Sequence, residues 1–213
     1  MTARDDVAGA SRRLAEAGLL IGTAGNVSAR AGDLVAVTGT GVALAGCTQA
    51  QVTLVTLDGE VVDGALAPTS ELDLHLGVYA DTDATAVVHT HAPYSTALAC
   101  VLDELPVIHY QQLLLGGAIR VAPYATFGTP ALAAAVRTAL DGRQAALMGS
   151  HGSVAVGASL DRAVEHALLL EWLAALHHRA SVLGSPRVLT DHEQEAVVLA
   201  ALQRNYGSTQ ENP

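Results

Sequence analysis

The spacing of hydrophobic residues predicts that the chain begins with a helix and two β-hairpins. Apolar residues fall at helical intervals over residues 5–17, and Gly18 is a residue type that commonly ends a helix. Two pairs of segments with strand-like composition then follow, each pair separated by a short turn containing Gly and Asp. These pairs are residues 26–30 with 34–38, and residues 52–57 with 60–62.

The rest of the chain alternates between helix-like and strand-like patterns. We expect Thr69 or Ser70 to cap a helix that runs through Tyr79, and Thr190 with Glu193 matches a capping box at the start of the last helix. The other predicted helices cover residues 94–101, 131–140 and 160–182, and the other strands cover residues 84–91, 106–109, 119–122, 145–148 and 153–156. Hairpins followed by interleaved helices predict an α/β fold of the α+β type, a sandwich with a largely antiparallel central sheet flanked by helices. We expect residues 1–213 to form a single domain.

The composition excludes several classes of protein. Half of the residues are hydrophobic and 15% are charged, which is typical of a chain that folds around a core. No apolar run reaches the roughly 20 residues of a membrane span, and the first residues lack the apolar segment of a secretory signal. The net charge of −10 argues against a nucleic-acid partner, because binding to phosphodiester backbones relies on a basic surface. The sequence therefore predicts a cytoplasmic protein that binds neither membranes nor nucleic acid.

The chain contains no lysine, since all 11 basic residues are arginines. Reactions that need a side-chain amine are thereby excluded, among them Schiff-base aldolases, pyridoxal-phosphate enzymes, P-loop nucleotide hydrolysis and Ser–Lys hydrolysis. In so acidic a protein, a phosphorylated ligand has to be bound by local hydrogen-bond donors rather than by the overall charge.

Three histidines and one glutamate form the strongest candidate metal site. His89 and His91 are two residues apart at the end of the predicted strand 84–91, so both side chains leave the same face. His151 lies in a glycine-containing turn between two strands, and Glu71 lies at a helix start. Alone, the histidine pair is more typical of ordinary core or surface histidines than of a metal site. Glu71 alone is explained by the favourable position of a carboxylate at a helix N-terminus. Together they match an open catalytic zinc site, with three neutral imidazoles and one displaceable carboxylate.

Three short loops offer donors for a phosphate group. They are Gly25-Asn26, Thr40-Gly41 and Thr69-Ser70. Each combines backbone N–H groups with a hydroxyl or amide side chain, although each dipeptide alone is also typical of an ordinary turn. The last loop precedes Glu71, which would place a phosphate close to the metal. His75, one helical turn after Glu71, is expected to pack in the core, with a supporting role at the site as the alternative.

Eight short segments resemble the class II aldolase and adducin family, in the same order and over nearly the whole chain. They are residues 25–28, 40–41, 68–71, 87–91, 108–110, 122–129, 150–152 and 206–207. The resemblance implies one Zn²⁺ per subunit on His89, His91 and His151, with Glu71 as the catalytic base and fourth ligand. It also implies a homotetramer with four-fold symmetry and active sites at the subunit interfaces.

The resemblance assigns further residues to the substrate. The phosphate would be held by Asn26, Thr40, Gly41, Thr69 and Ser70. Tyr110 would transfer a proton in a neighbouring subunit's site, and Phe127 and Tyr206 would line the aldehyde end. Two departures from the family pattern are Thr69, where Ser is usual, and the tail after Tyr206, which lacks an arginine.

The activity implied is zinc-dependent, reversible retro-aldol cleavage of a ketose 1-phosphate similar to L-fuculose 1-phosphate. The products would be dihydroxyacetone phosphate and a small aldehyde similar to L-lactaldehyde. Tyr110 would take the proton of the C4 hydroxyl, and Glu71 would protonate the carbon left behind. The same family leaves three alternatives: an L-ribulose-5-phosphate 4-epimerase, a methylthioribulose-1-phosphate dehydratase, and a non-enzymatic binding module like the adducin head.

Overall fold

Nine β-strands form one sheet at the centre of the computed structural model, which describes residues 2–204. The strands are β1 (Asn26–Ala31), β2 (Leu34–Thr38), β3 (Val52–Thr56), β4 (Val61–Asp63), β5 (Ala86–Thr90), β6 (Glu104–Leu105), β7 (Ile119–Ala122), β8 (Ala145–Met148) and β9 (Gly152–Gly157). Their order across the sheet is β4-β3-β2-β1-β5-β9-β8-β7-β6. Every neighbouring pair is antiparallel except β7 and β8, which are parallel. The predicted fold class and both predicted hairpins are confirmed.

Helices cover both faces of this sheet. The α-helices are α1 (Ala3–Glu16), α2 (Leu72–Asp81), α3 (Pro93–Ala99), α4 (Pro130–Leu140), α5 (Leu160–Leu183) and α6 (Asp191–Gln203). Short 3₁₀ helices cover Leu44–Gly46, Gln49–Gln51 and Tyr110–Leu115. The capping box predicted at Thr190 and Glu193 is present at the start of α6. Among the helices of the described residues, none combines the length and hydrophobicity needed to cross a bilayer.

Alternate residues of each central strand face two separate hydrophobic cores. In β2, Ala36 packs with residues of α1 and α5, whereas Val35 and Val37 pack with residues of α2 and α4. In β5, Val88 packs in the core formed with α1 and α5, and Val87 packs in the core formed with α2 and α4. Every residue of β5 and β9 is buried, so side chains at the ends of these strands are carried by the most rigid part of the sheet.

The strand predicted over residues 106–109 is wrong. The strand at this place is β6, Glu104–Leu105, and the following residues lead into a 3₁₀ helix. Pro106 has no backbone N–H to donate to a neighbouring strand. The carbonyl of Val107 accepts from the backbone N–H of Leu189, which comes from the segment before α6 rather than from the sheet. The assignment of residues 1–213 to a single domain stays a prediction.

Candidate active site

Three imidazole rings meet where β5 and β9 lie side by side. His89 is the fourth residue of β5, His91 follows its last residue, and His151 lies in the turn between β8 and β9. The ring centroids are 4.8, 4.9 and 4.9 Å apart, close to an equilateral triangle. One nitrogen from each ring lies within 4.8 Å of the other two. The structure thus brings the three predicted metal ligands together.

Two backbone features bring the strands and His151 into this arrangement. Gly152 lies so close to β5 that an added Cβ would be 2.3 Å from the carbonyl oxygen of Thr90. Ser150 is the only residue other than glycine with positive φ between residues 2 and 204, with φ of 51°. This left-handed conformation turns the chain immediately before His151 and directs the imidazole toward the neighbouring strand.

Glu71 completes the group from the other side. Its Oε2 lies 3.2 Å from Nε2 of His89, and its Oε1 lies 3.6 Å from Nε2 of His151. The side chain is buried, and Oε1 has no hydrogen-bond partner among the described residues. Burial raises the pKa of Glu71, but His89, the hydrogen bond from Asn26 and His151 together hold it below its ordinary value. The carboxylate is therefore ionised.

The donor atoms fit a divalent cation. A carbonyl can only accept, so Nδ1 of His89 donates to the Ser153 carbonyl at 3.0 Å, which leaves Nε2 as the nitrogen that faces the other ligand atoms. Metal–nitrogen bonds of about 2.0–2.1 Å in a tetrahedral zinc site separate the ligand atoms by about 3.3 Å. The shortest separations here are 3.0 Å between Nε2 of His89 and of His91, and 3.2 and 3.6 Å to Glu71. Burial and neighbouring imidazoles lower the pKa of His91 to about 4 and also lower that of His151, which leaves both rings neutral, as ligation requires.

A cavity of about 650 Å³ opens beside this group. Its lining includes the five residues predicted to hold phosphate, part of the metal group, and aromatic side chains at its edge: Asn26, Thr40, Gly41, Thr69, Ser70, Glu71, His91, His151, Tyr124 and Phe127. Phe127 is 66% exposed. The predicted phosphate loops therefore share one cavity with Glu71, His91 and His151 of the predicted metal group.

The loop before α2 differs from the expectation. Neither Thr69 nor Ser70 caps the helix, because Glu71 occupies the N-cap position before Leu72. The Thr69 hydroxyl instead accepts from the backbone N–H of Glu71 at 3.3 Å. The backbone N–H of Thr69 donates to the Thr38 carbonyl, which ties this loop to the end of β2. Placing Glu71 at the cap directs its side chain into the metal group rather than along the helix.

A series of buried hydrogen bonds leads from Glu71 into the core. Nδ2 of Asn26 lies 2.9 Å from Oε2 of Glu71, and Oδ1 of Asn26 lies 2.5 Å from Nε2 of His75. Nδ1 of His75 lies 2.7 Å from Oγ of Ser28, which in turn lies 2.5 Å from the Tyr79 hydroxyl. His75 is buried, as expected. It also contacts the site residue Asn26, which is compatible with the alternative of a supporting role at the site.

Sequence reasoning missed the roles of Ser28 and Tyr79, although the spacing held a signal. Ser28 follows Asn26 by two residues in a strand, so both face the same side. Tyr79 follows His75 by four residues in α2, so both lie on one helix face. Burial lowers the pKa of His75 to about 3 and raises the pKa of Tyr79, so the imidazole is neutral and the phenol keeps its proton.

One predicted residue lies outside this cavity, and another lies outside the described residues. Tyr110 begins a 3₁₀ helix, is 41% exposed, and packs against His109 with ring centroids 4.7 Å apart. It does not line the cavity of its own chain. Tyr206 lies outside the described residues.

Comparison with known proteins agrees with the resemblance seen in the sequence. The family model of the Class II Aldolase and Adducin N-terminal domain matches residues 5–178. The chain is 37% identical to the 5-methylthioribulose-1-phosphate/5-deoxyribulose-1-phosphate aldolase of Rhodospirillum rubrum, over 89% of this chain and 86% of that protein. It is 38% identical to the L-fuculose phosphate aldolase of Escherichia coli O6:H1, over 89% of this chain and 88% of that protein.

A solved structure of an L-fuculose 1-phosphate aldolase has the same architecture. The two structures match with a TM-score of 0.89 and 33% sequence identity, over 93% of this chain and 95% of that chain. The prediction of an enzyme of the aldehyde-lyase type is confirmed. The chain belongs to the class II aldolase and adducin family.

Proposed function

We propose that the protein is a zinc-dependent aldolase that reversibly cleaves a ketose 1-phosphate to dihydroxyacetone phosphate and a small aldehyde. The observation that carries this proposal is the shared cavity of about 650 Å³, in which Glu71 and two of the three grouped imidazoles lie beside hydroxyl- and glycine-containing loops. The first group suits a cation, and the second suits a phosphate. We further propose one zinc ion per subunit and a cytoplasmic location.

The metal's ligands are His89, His91 and His151, with Glu71 as the displaceable fourth. Bound there, zinc supplies the Lewis acidity that stabilises negative charge on the substrate when the C3–C4 bond breaks. A lysine aldolase achieves this with a protonated imine, which a chain without lysine cannot form. Glu71 is ionised, and its Oε1 has no hydrogen-bond partner in the described part of the chain, so this oxygen is the one that exchanges a proton with the substrate carbon.

The phosphate is held by neutral donors around the mouth of the cavity. The backbone N–H groups of Thr40 and Thr69 already donate to the carbonyls of Ala67 and Thr38. These two residues would therefore contact the phosphate through their hydroxyl groups. Gly41 and Ser70 complete this part of the lining. Binding the phosphate away from the reacting bond orients the sugar and lowers the entropic part of the barrier.

We assign proton transfer at the C4 hydroxyl to Tyr110 of a neighbouring subunit in a homotetramer with sites at its interfaces. The exposure of Tyr110 and its position outside its own cavity support this assignment. Phe127, with Tyr206 from the C-terminal segment, would contact the aldehyde end of the substrate.

Two kinds of ketose 1-phosphate are candidate substrates. One relative is named for L-fuculose phosphate and another for 5-methylthioribulose 1-phosphate and 5-deoxyribulose 1-phosphate. Cleavage between C3 and C4 gives dihydroxyacetone phosphate in each case, with a three-carbon aldehyde from the six-carbon sugar and a two-carbon unit from the five-carbon sugar. The aromatic side chains of Tyr124 and Phe127 at the cavity edge favour substrates whose far end is a methyl or methylthio group.

The test is mass spectrometry of both ketose phosphates after incubation with the zinc-loaded protein. Dihydroxyacetone phosphate and a matching aldehyde are expected. A product of unchanged mass would indicate an epimerase, loss of water a dehydratase, and an unaltered sugar without bound metal a binding module.

Two variants then test the assigned residues. His91→Ala is expected to lose both zinc and activity, and an active zinc-free protein would refute the metal site. Glu71→Gln is expected to retain zinc but to lose hydrogen exchange between solvent and the reacting carbon of dihydroxyacetone phosphate. Full exchange in this variant would remove Glu71 as the base.

A further inference from the structure

Five polar side chains form a continuous hydrogen-bonded series behind the candidate active site. Ser28 and His75 are 0% exposed, Tyr79 is 4% exposed, Asn26 is 5% exposed and Glu71 is 7% exposed. Buried polar groups of this kind stabilise one arrangement only when every donor meets an acceptor. The positions of the protons in the series therefore matter as much as the distances.

A single constraint at one end determines the direction of every hydrogen bond. Nδ2 of Asn26 lies 2.9 Å from Oε2 of Glu71, and because an amide NH₂ group can only donate, the Glu71 oxygen accepts. The Asn26 oxygen then faces His75, whose Nε2 must carry the proton and donate. Nδ1 of the neutral ring accepts from the Ser28 hydroxyl, which leaves the Tyr79 hydroxyl to donate to Ser28. All four hydrogen bonds point toward Glu71.

We propose that His75 is a positioning residue that, by donating from Nε2 to Asn26, holds the Asn26 NH₂ group on Glu71 and so fixes the catalytic carboxylate at the metal centre. This inference rests on the proposed function only in taking Glu71 as the base. His75 does not itself line the cavity, and its hydrogen bond to the cavity residue Asn26 connects it to the site.

The series holds one oxygen of Glu71 and leaves the other available. Oε2 is the oxygen bound by Asn26, whereas Oε1 has no hydrogen-bond partner within residues 2–204. Without a donor at position 75, Oδ1 of Asn26 loses its hydrogen-bond partner, and only the contact with Glu71 still restrains the amide. A buried acceptor without a donor costs free energy, so the amide shifts toward another donor and Oε2 of Glu71 loses its fixed position beside the reacting carbon.

His75→Leu and His75→Gln form a matched pair for this proposal. Leucine fills similar space without a donor, whereas glutamine carries an N–H donor and an oxygen acceptor that can replace the two ring nitrogens. In the Leu variant, we expect exchange at the carbon of dihydroxyacetone phosphate and kcat to fall by about 10- to 100-fold, the usual effect of removing an outer-shell hydrogen bond. Zinc content should stay at that of the parent protein. The Gln variant should recover kcat to within about fivefold of the parent.

A purely structural role for His75 predicts a different outcome. Both variants would then lower the melting temperature and zinc content together, and the exchange rate per zinc-loaded molecule would not change. Equal loss of kcat in the Leu and Gln variants would also overturn the proposal, because donor chemistry would then be irrelevant.

The tautomer of His75 gives a readout that needs no activity. Nitrogen NMR of the ¹⁵N-histidine-labelled, zinc-loaded parent protein should show His75 protonated at Nε2. His166 provides an internal control with the opposite tautomer, because its Nδ1 donates to the Val156 carbonyl at 2.7 Å. A His75 ring protonated at Nδ1 would reverse the series and refute the inference, even if the Leu variant fails to fold.

The two proposals can fail separately. If the parent protein cleaves no ketose phosphate but shows the Nε2 tautomer, the aldolase assignment fails and the orientation of Asn26 stands. If the parent protein is an active aldolase and His75→Leu matches its kcat, the positioning role fails and the aldolase assignment stands.

Discussion

Replacing Gly152 by alanine would force two strands apart at the candidate metal centre. An added Cβ would lie 2.3 Å from the carbonyl oxygen of Thr90 and 3.3 Å from Cδ2 of His91. The Thr90 carbonyl belongs to the backbone of β5, which is paired with β9 through Ser153 and is buried throughout. A side chain could rotate away, but this carbonyl cannot move without moving the strand. Reaching an ordinary contact distance requires a displacement of about 1 Å.

This displacement allows an estimate of two separate effects. Overpacking of a well-packed core typically destabilises the folded state by about 1–3 kcal/mol. A shift of about 1 Å in catalytic groups can lower the rate of the reaction by about 100-fold, even in a protein that remains folded. We therefore expect Gly152→Ala to remain folded, to unfold at lower urea concentration, to bind zinc more weakly and to lose about 100-fold in kcat/KM.

The assay combines urea unfolding followed by circular dichroism, zinc affinity by competition with a chelator, and steady-state kinetics with the cleaved ketose phosphate. Gly46→Ala is the matched control, because an added Cβ there meets no atom within 4 Å and the residue lies outside the left-handed region. The control should match the parent protein in all three measurements. A Gly152→Ala protein with the parent's zinc affinity and unfolding free energy would show that the strands can accommodate the methyl group and would refute this reasoning.

Two further predictions concern Glu171, whose carboxylate lies at the start of α3, and the buried His75. The Glu171 carboxylate accepts from the backbone N–H groups of Tyr94 and Ser95 at 2.9 and 2.8 Å and from the Ser95 hydroxyl at 2.7 Å, at the start of α3. Glu171→Gln should therefore lower the free energy of unfolding by about 1–2 kcal/mol, measured by urea denaturation, and an unchanged value would contradict a capping role. The pKa of His75 is about 3 in the folded protein, against an ordinary value of 6.5. Between these two pH values the unfolded state binds one more proton than the folded state, so the free energy of unfolding decreases as the pH falls below 6.5. The test is urea unfolding of the metal-free parent and His75→Gln proteins between pH 6 and pH 4. The free energy of unfolding should change with pH more steeply in the parent, by about 1.4 kcal/mol per pH unit. Equal slopes would show that His75 is not buried in its neutral form.

Local patterns indicated which side chains of the candidate metal group could face one another. The two-residue spacing of His89 and His91 determines that they share a face once the segment is a strand, and the glycine after His151 indicates a close turn. Both hairpins followed in the same way from short turns between strand-like segments. These features depend on neighbours within a few residues, which is the range over which sequence patterns are informative.

The hydrogen bonds behind Glu71 could not be predicted in this way. They join Asn26 and Ser28 on β1 to His75 and Tyr79 on α2, and the two elements are separated by three strands in the chain. Their contact depends on how α2 packs across the sheet, which no local pattern determines. The same limit explains the segment after Pro106, because the Val107 carbonyl accepts from the backbone N–H of Leu189, which is far away in the chain.

Burial sets the charge of the candidate active site and links metal binding to substrate binding. The described lining contains one carboxylate, from Glu71, and no arginine, and the imidazoles of His91 and His151 are neutral. A phosphorylated sugar would bring further negative charge into this cavity, in a protein whose net charge is already −10. A divalent ion on three neutral imidazoles and Glu71 changes the local charge from one negative to one positive. Attraction between this centre and the anionic substrate then does locally what a lysine or arginine does in other phosphate sites, so the substrate should bind the metal-loaded protein more tightly than the metal-free protein.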